Sequence, residues 1–417
     1  MAALKHLEPD CASSPTHGGR ETRRASAGPT FRRVCLAIMA CITCLPATGA
    51  AADWFEPAAH ALDGWSIAED GPTIVVTPAG KTPEYEISVV WAKKSDAYDE
   101  AFGAVLVAFA DAELRARWRI RLMDPEACAP PEAASCGTAL RRAVGRPDLI
   151  MTLGTRAMRA AHSHLRTGEA PVVTVASKDP KLMQLSPPFQ KGGPIAYTSL
   201  DSPAAALVEA MKLLLPEIGA VIVVSIASND GARRTQVRPM LNELESRGSR
   251  SVDAGFTKGG DLGKRLRMDI AREAARLRTD GLDEKRALVW VTGCTALFDH
   301  IHDIRKGAGG LAVLGVTMSL VDGTDNGLAM AIGSTYEANG RLGADYAISI
   351  LRGADPATMS VGVLEPPEVA LDFKAMKAAG HRVPFELFER AAVIYDGEGH
   401  RVRQNGQPST TTTREED

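Results

Sequence analysis

The sequence contains few aromatic residues and little net charge. Phe, Trp and Tyr make up 5% of its 417 residues, so aliphatic side chains are expected to fill the hydrophobic cores. The 48 Lys and Arg against 51 Asp and Glu give a net charge of −3. Nucleic-acid-binding proteins usually carry a basic excess or stripe, so this balance argues against general nucleic-acid binding. With 45% hydrophobic residues, the chain can build two or three globular domains.

Sequence motifs of the common enzyme classes are also missing. The chain has no G-x-S-x-G elbow, Walker loop, H-E-x-x-H pair or G-x-G-x-x-G after a strand. Two histidine pairs, at residues 162/164 and 300/302, have i,i+2 spacing, which does not place both side chains on one helix face. The sequence therefore predicts no enzymatic activity, no cofactor and no metal site.

The first 52 residues have the pattern of a secretory leader. Arg32 and Arg33 precede a short apolar run, and Pro46 and a series of small residues follow it. A basic region, a short apolar region and a small-residue cleavage site define a signal peptide, and the apolar run is too short to span a bilayer. We expect cleavage after Ala50 or Ala52 and a location in the periplasm or outside the cell. A lipid anchor at Cys41 stays open.

Three of the seven cysteines lie beyond this leader: Cys128, Cys136 and Cys294. In an oxidising compartment Cys128 and Cys136 could close a short loop as a disulfide, but two free thiols fit the sequence equally well. Cys294 would then be an unpaired thiol. The cysteine spacing does not predict a zinc site.

The secondary-structure signal is that of repeated strand-helix units. Residues 149–153 predict a buried parallel strand, Gly154 and Thr155 a tight turn, residues 156–165 a helix and residues 171–175 the next strand. Similar units fill residues 85–196 and 217–316. The predicted fold class is α/β, with two doubly wound parallel-sheet lobes joined by a multi-crossing hinge and a cleft between the strand ends. The predicted parts are a leader (residues 1–52), an N-terminal extension (53–83), lobe 1 (84–198 plus about 328–357), lobe 2 (199–327 plus about 358–395) and a disordered tail (396–417).

Polar residues follow many of the predicted strands. Ligands of open α/β sheets bind at this edge, because helix N–H groups and the helix dipole point there. Thr155 is predicted to bind a ligand carboxylate, although it could instead only cap its helix. Asp179 is predicted to pair with a ligand ammonium, although it could instead only start the turn before Pro180. The predicted ligand-binding residues are Ser95, Gly154, Thr155, Ser177, Asp179, Ser228, Asn229, Thr295 and Ser319.

Several short motifs recur in a fixed order along the chain. They are Pro147-Asp148-Leu149-Ile150 before Gly154-Thr155, Ala170-Pro171-Val172-Val173 before Asp179-Pro180, Leu215-Pro216, Leu342-Gly343-Ala344-Asp345 before Ile350-Leu351-Arg352-Gly353, and Glu368-Val369-Ala370-Leu371-Asp372 before Val383-Pro384. In order and spacing, over residues 85–395, the chain resembles the bacterial ABC-transporter substrate-binding proteins of the tryptophan/tyrosine type.

This resemblance implies the periplasmic-binding-protein type I fold. It also implies a monomer that closes its hinge on a small amino acid-like or aromatic solute, with an ABC permease in the membrane as partner. Trp91, Trp290 and Tyr197 are the aromatic side chains that could reach the cleft. The alternative is a sensor or protein-interaction module that keeps the fold but lacks a tight ligand. A cleft filled by bulky side chains would favour that alternative, and an open polar cleft would favour transport.

Overall fold

The computed structural model describes residues 54–166, 168–185 and 193–409. The predicted leader lies outside these ranges, as does the end of the predicted tail. None of the helices within the described ranges is long and apolar enough to cross a membrane.

Seven strands form the first sheet, in the order β1-β2-β4-β3-β5-β6-β7. The five strands from β4 to β7 pair in parallel, and the hairpin of β1 and β2 adds to the β4 edge in antiparallel orientation. The strands are β1 (Trp65–Asp70), β2 (Thr73–Pro78), β3 (Tyr85–Trp91), β4 (Ala116–Leu122), β5 (Leu149–Leu153), β6 (Val172–Val175) and β7 (Ile195–Ala196).

Nine strands form the second sheet, in the order β16-β15-β14-β13-β12-β11-β10-β8-β9. The strands are β8 (Ala220–Ile226), β9 (Arg250–Phe256), β10 (Ala287–Val291), β11 (Ala312–Gly315), β12 (Met330–Gly333), β13 (Glu368–Asp372), β14 (Ala391–Tyr395), β15 (Arg401–Gln404) and β16 (Gln407–Pro408). Strands β8, β10, β11 and β12 are buried at every residue. Continuous apolar sequence is expected in parallel strands that are covered on both faces.

Helices cover both sheets. One helix changes type: α5 continues through a π-helical segment, Arg233–Val237, directly into α6. The helices are α1 (Asp96–Asp111), α2 (Ala134–Val144), α3 (Thr155–His164), α4 (Ala204–Leu214), α5 (Asp230–Ala232), α6 (Arg238–Ser246), α7 (Leu262–Thr279), α8 (Thr295–Phe298), α9 (Ile301–Ala308), α10 (Tyr336–Leu351), α11 (Phe373–Ala378) and α12 (Phe385–Arg390).

The chain passes between the two lobes three times, so the predicted multi-crossing hinge is present. It leaves lobe 1 after β7, returns from β12 into α10, which packs against α1, and leaves again between Gly362 and β13. These positions differ from the predicted boundaries. Strand β12 pairs in the second sheet, whereas Gly362 forms a bridge with Thr198 of lobe 1. An apolar crossing strand does not show in its own sequence which sheet it will join.

Both ends of the described chain extend a sheet. The predicted extension, residues 53–83, supplies β1 and β2 to the first sheet. The predicted disorder from residue 396 is wrong for the part that is described, because β15 and β16 form a hairpin on β14. This hairpin is held by backbone hydrogen bonds and by Arg403, which lies 4.6 Å from the centre of the Phe388 ring. Its polar, mostly exposed side chains gave no strand signal.

The aromatic residues are few but concentrated in lobe 1. Trp118 is fully buried between Phe102 and Phe109, with ring centres 5.3 and 4.7 Å away. Trp91 packs edge-on against Phe102 in the same core. The expectation that aliphatic side chains fill the cores is therefore wrong for lobe 1, where aromatic side chains contribute to the core.

The two cysteines of the loop before α2 are joined. Cys128 and Cys136 form a disulfide with a Cα–Cα distance of 4.4 Å, within the usual range for this bond. Cys294 is a buried free thiol, as the sequence predicts. Of the two alternatives that the sequence left open for Cys128 and Cys136, the structure therefore has the disulfide and not two free thiols.

Asp99 makes the stability of lobe 1 depend on pH. Its side chain is 7% exposed and accepts a 2.9 Å hydrogen bond from the Glu56 N–H. Burial, together with the nearby Asp96 and Glu56 charges, raises the Asp99 pKa to about 6. The folded protein therefore binds a proton more readily than the unfolded chain between about pH 4 and 6, and this carboxyl lowers stability as the pH rises through that window.

We expect Asp99→Asn to be more stable than the wild type at pH 7 by about 1–3 kcal/mol. The amide oxygen can still accept the Glu56 hydrogen bond, and the difference should shrink towards zero at pH 4. Urea unfolding of both proteins between pH 4 and 7 measures it. Asp111→Asn, at the exposed far end of α1, controls for the substitution itself. A stability difference that does not change with pH would contradict the prediction.

Candidate functional site

A cleft of about 720 Å³ opens between the lobes. Its walls are the loops that follow the carboxyl ends of parallel strands in both sheets, together with the hinge segments. This is the edge where ligands bind in open α/β sheets. The walls carry hydroxyl groups, charges of both signs and apolar side chains, so the cleft can hold a small polar molecule by hydrogen bonds as well as by apolar contact.

Five of the nine predicted ligand-binding residues line this cleft. Three come from lobe 1 and two from lobe 2, each from a loop that follows a strand or from the start of the next helix. These residues are Ser95, Thr155, Ser177, Thr295 and Ser319. Tertiary structure thus brings together side chains that are as far apart in the chain as Ser95 and Ser319. Their contact with a ligand stays a prediction.

The other four predicted residues do not line the cleft. Gly154 lies behind the Tyr98 hydroxyl. The Asp179 carboxylate turns back into its own loop and accepts the N–H groups two and three residues later, at 2.7 and 2.9 Å. Asn229 caps α5, and Ser228 is exposed. The sequence left open whether Asp179 pairs with a ligand or only starts the turn before Pro180. The observed hydrogen bonds are those of the turn.

Thr155 connects two neighbouring loops of lobe 1. Its hydroxyl oxygen accepts a 3.1 Å hydrogen bond from the Lys178 N–H, which fixes the loop after β6 to the start of α3. The N-cap position of this helix is Gly154, so no side chain caps the first turn. An uncapped helix N-terminus at the edge of a cleft favours a negatively charged or carbonyl oxygen of a ligand.

Asp201, in the first crossing, joins the two lobes at the floor of the cleft. Its carboxylate accepts from the Lys178 ammonium at 2.8 Å, the Gln236 amide at 3.1 Å and the Asp179 N–H at 3.0 Å. The Gln236 amide oxygen in turn accepts from the Gly293 N–H at 2.8 Å. Asp201 is 6% exposed, and a buried carboxylate needs such compensation. The network links lobe 1, the hinge and lobe 2.

Sequence reasoning missed Asp201, Lys178 and Gln236. Asp201 directly precedes Ser202-Pro203, and Lys178 follows Ser177 in the loop after β6. Neither position by itself predicts that its side chain joins the two lobes. Gln236 lies in the π-helical segment, a distortion that is frequent at functional sites but leaves no sequence signal here. Only Lys178 could have been inferred, because it shares the loop of Ser177.

Two titratable side chains of the cleft, Glu100 and Tyr336, lie near the second crossing. Glu100 is exposed, yet desolvation by the surrounding protein, followed by the Glu337 and Glu368 charges, raises its pKa. Burial, followed by the charges of Glu100 and Asp201, raises the pKa of Tyr336. Within the part of the chain that the structure describes, the Glu100 carboxylate accepts a 3.3 Å hydrogen bond from the Glu337 N–H. A ligand group that donates hydrogen bonds would be favoured at this wall.

The three aromatic side chains that, from the sequence, could reach the cleft do not line it. Trp91 and Trp290 are completely buried, and Tyr197 is 2% exposed, so none of the three lines the cleft. Packing between sheet and helices takes up these large side chains. The aromatic residues that do line the cleft are Tyr98, Phe298 and Tyr336.

No protein-family model matches the sequence, and no curated protein matches it. Solved structures do match the fold. A conserved domain protein from Vibrio cholerae aligns with a TM-score of 0.55 and 21% identity, over 75% of this chain and 100% of that chain. An ABC domain from Streptococcus pneumoniae in complex with L-Trp aligns with a TM-score of 0.52 and 16% identity, over 74% of this chain and 99% of that chain.

A third structure is a substrate-binding protein with adhesive properties from Clostridium difficile, in a ligand-free, open form. It aligns with a TM-score of 0.57 and 17% identity, over 74% of this chain and 98% of that chain. Similarity at this level of identity shows the fold alone. The chain has the periplasmic-binding-protein type I fold with two lobes rich in parallel strands, which confirms the predicted fold class.

Proposed function

We propose that this chain is a secreted solute-binding protein of an ABC importer. It takes a small amino acid-like or aromatic solute into the cleft between its lobes and presents it, as a monomer, to a permease in the membrane. The observation that carries the proposal is the open cleft at the strand carboxyl ends of both lobes, which is lined by polar as well as apolar side chains. The predicted leader and the structural similarity to an L-Trp complex and to a substrate-binding protein support it. The proposal includes no enzymatic reaction.

The cleft favours this function over the ligand-poor alternative. Small residues stand where bulky side chains would have to fill the space, among them Ser95, Ser177, Gly293 and Thr295. The remaining volume of about 720 Å³ is that of a pocket for a small molecule. A protein that kept the fold only as a scaffold would gain stability by filling this space with apolar side chains.

Ligand binding can be coupled to the hinge because both lobes contribute to the walls. A solute that contacts Thr155 of lobe 1 and Thr295 of lobe 2 at the same time stabilises a closed state more than an open one. The Asp201 network lies where the lobes meet and sets how they are placed before closure. A permease that recognises the closed form would then respond to the loaded protein.

A thermal-shift screen of the chain from Asp53 tests the proposal. We expect a compound among amino acids, aromatic amines, nucleosides, sugars and small carboxylates to raise the melting temperature. Binding to the native state at a hundred times the dissociation constant adds about 2.7 kcal/mol. A screen in which none of the compounds raises the melting temperature would contradict solute binding.

A variant that fills part of the cleft tests whether the solute binds there. Ser95→Trp puts a large side chain on the lobe 1 wall and should abolish the shift without unfolding the protein, because the Ser95 side chain makes no capping bond at α1. Ser228→Trp is the matched control, since Ser228 follows strand β8 in an equivalent loop but is exposed outside the cleft. Equal shifts in the two variants would place binding elsewhere.

A further inference from the structure

Two serine hydroxyls in the hinge have no hydrogen-bond partner among the described residues. Ser202 lies in the first crossing and Ser334 in the second, and both line the cleft. The oxygen atom of each is buried and unpaired. Ser202 as a whole is 9% exposed. Buried hydroxyls in folded proteins nearly always have a partner, so this pair requires an explanation.

Helix capping does not explain these hydroxyls. Ser202 directly precedes Pro203, and serine is a common N-cap residue. The N-cap position of α4 is, however, Pro203, and no side chain bonds to that helix end. At the second crossing the cap of α10 is Thr335, whose hydroxyl oxygen accepts from the Ala338 N–H at 3.1 Å. The contacts of the described residues therefore give neither serine oxygen a structural role.

We propose that Ser202 and Ser334 form a binding subsite on the hinge wall for a hydrogen-bond-donating group of the solute, an ammonium or a hydroxyl. This inference rests on the proposed solute binding and assigns part of the recognition to two residues outside the predicted set. A ligand group between the two crossings gives both oxygens the partner that the ligand-free protein lacks. The cost of two unpaired hydroxyls is then removed on binding, which strengthens it.

The charges around the subsite select a donor over an acceptor. Glu100 lines the same cleft, and Asp201 directly precedes Ser202. The Asp201 charge is compensated by Lys178, whereas the described residues give Glu100 no cationic partner at ion-pair distance. A ligand carboxylate next to these groups would be repelled. Serine oxygens accept hydrogen bonds as readily as they donate them, so they fit an ammonium or a hydroxyl.

The position of the subsite also ties it to hinge motion. Both serines stand on segments through which the chain passes between the lobes, so a change of the interlobe angle changes the distance between their oxygen atoms. A ligand group that bonds to both selects one interlobe angle. A ligand bound at this subsite therefore acts on the hinge directly, in addition to its contacts with the walls that each lobe supplies.

The first test needs no ligand. We expect Ser202→Ala and Ser334→Ala to leave the melting temperature unchanged or to raise it, because each removes a buried polar atom without a partner. The matched variant is Ser177→Ala. Ser177 lines the same cleft, but its hydroxyl donates to the Thr198 carbonyl oxygen at 3.0 Å, so its loss should lower the melting temperature. A drop for the two hinge variants equal to that of Ser177→Ala would show structural hydroxyls and overturn the proposal.

The second test uses L-phenylalanine, L-phenyllactate and 3-phenylpropionate, which differ only in carrying an ammonium, a hydroxyl or a hydrogen on one carbon. Calorimetric titration of the wild type should show 3-phenylpropionate as the weakest ligand, and the order of the other two identifies the donor. Each serine variant should weaken the binding of the better donor by about tenfold, which corresponds to about 1.4 kcal/mol. The affinity for 3-phenylpropionate should be unchanged. Equal binding of all three compounds by the wild type, or equal weakening of all three in the variants, overturns the subsite but keeps solute binding. No binding of any compound in this titration or in the wider screen overturns both.

Discussion

Replacing Asn339 by Leu should lower the free energy of unfolding by about 2–5 kcal/mol. Asn339 is completely buried on α10 and connects that helix to the loop after β6 and to the first crossing. Its amide oxygen accepts from the Ala176 N–H at 2.7 Å, and its amide nitrogen donates to the Ser199 carbonyl oxygen at 3.1 Å. Leucine has similar size but leaves both backbone groups buried and unpaired, and each such group costs about 1–3 kcal/mol.

Urea unfolding monitored by tryptophan fluorescence measures this loss. Asn242→Leu on α6 is the matched control, because Asn242 is exposed and the same substitution there should change stability by less than about 0.5 kcal/mol. We also expect weaker solute binding by Asn339→Leu at temperatures where it is still folded, since Ala176 lines the cleft. If the loss of stability were below about 1 kcal/mol, the two backbone groups would have found other partners, and Asn339 would not hold the hinge.

Gly154→Ala should destabilise the protein by about 2–6 kcal/mol. Gly154 has a φ of +94° and a ψ of 155°, a conformation essentially restricted to glycine, which costs an alanine about 1–3 kcal/mol. Its added methyl group would also overlap the Tyr98 hydroxyl and would lie 2.6 Å from the Tyr98 Cζ atom. Overpacking of this kind adds about 1–3 kcal/mol. Gly154 therefore lets Tyr98, which lines the cleft, pack against the turn before α3.

A glycine with the same φ separates the two contributions. Gly168 also has a φ of +94°, but a methyl group there meets no atom within 4 Å, so Gly168→Ala should show only the conformational cost. Adding Tyr98→Phe to Gly154→Ala should recover part of the loss, because the hydroxyl is removed while the ring stays. Chemical denaturation of the four proteins gives these differences. Equal losses for Gly154→Ala and Gly168→Ala would refute the role of Tyr98.

The sequence predicted the strand-helix units well because their signals are local. The unit around β5 and α3 combines an apolar run, a glycine turn and good helix formers within twenty residues. Each of these features acts on the backbone of its own segment. Thr155 could be placed at the edge of the sheet for the same reason, since a residue that follows a parallel strand lies at the carboxyl edge whatever the rest of the chain does.

Ser202 shows where such local reasoning ends. A serine before a proline at a helix start is read as a cap, yet in the structure its hydroxyl is buried, unpaired and part of the cleft wall. The same limit applies to Asp179, whose carboxylate stays in its own turn although its loop follows a central strand. Side-chain direction within a loop depends on what packs against that loop, and that information is spread over the whole chain.

The sequence by itself determined the α/β class, the two lobes and the edge at which the cleft lies. These follow from hydrophobic periodicity and chain direction, which act over short distances. Only the tertiary structure decided which sheet takes β12, which aromatic side chains reach the cleft, and that Asp201, Gln236 and the two hinge serines meet there. Such contacts join residues far apart in the chain, and their free energy depends on burial and partners that exist only once the lobes have packed.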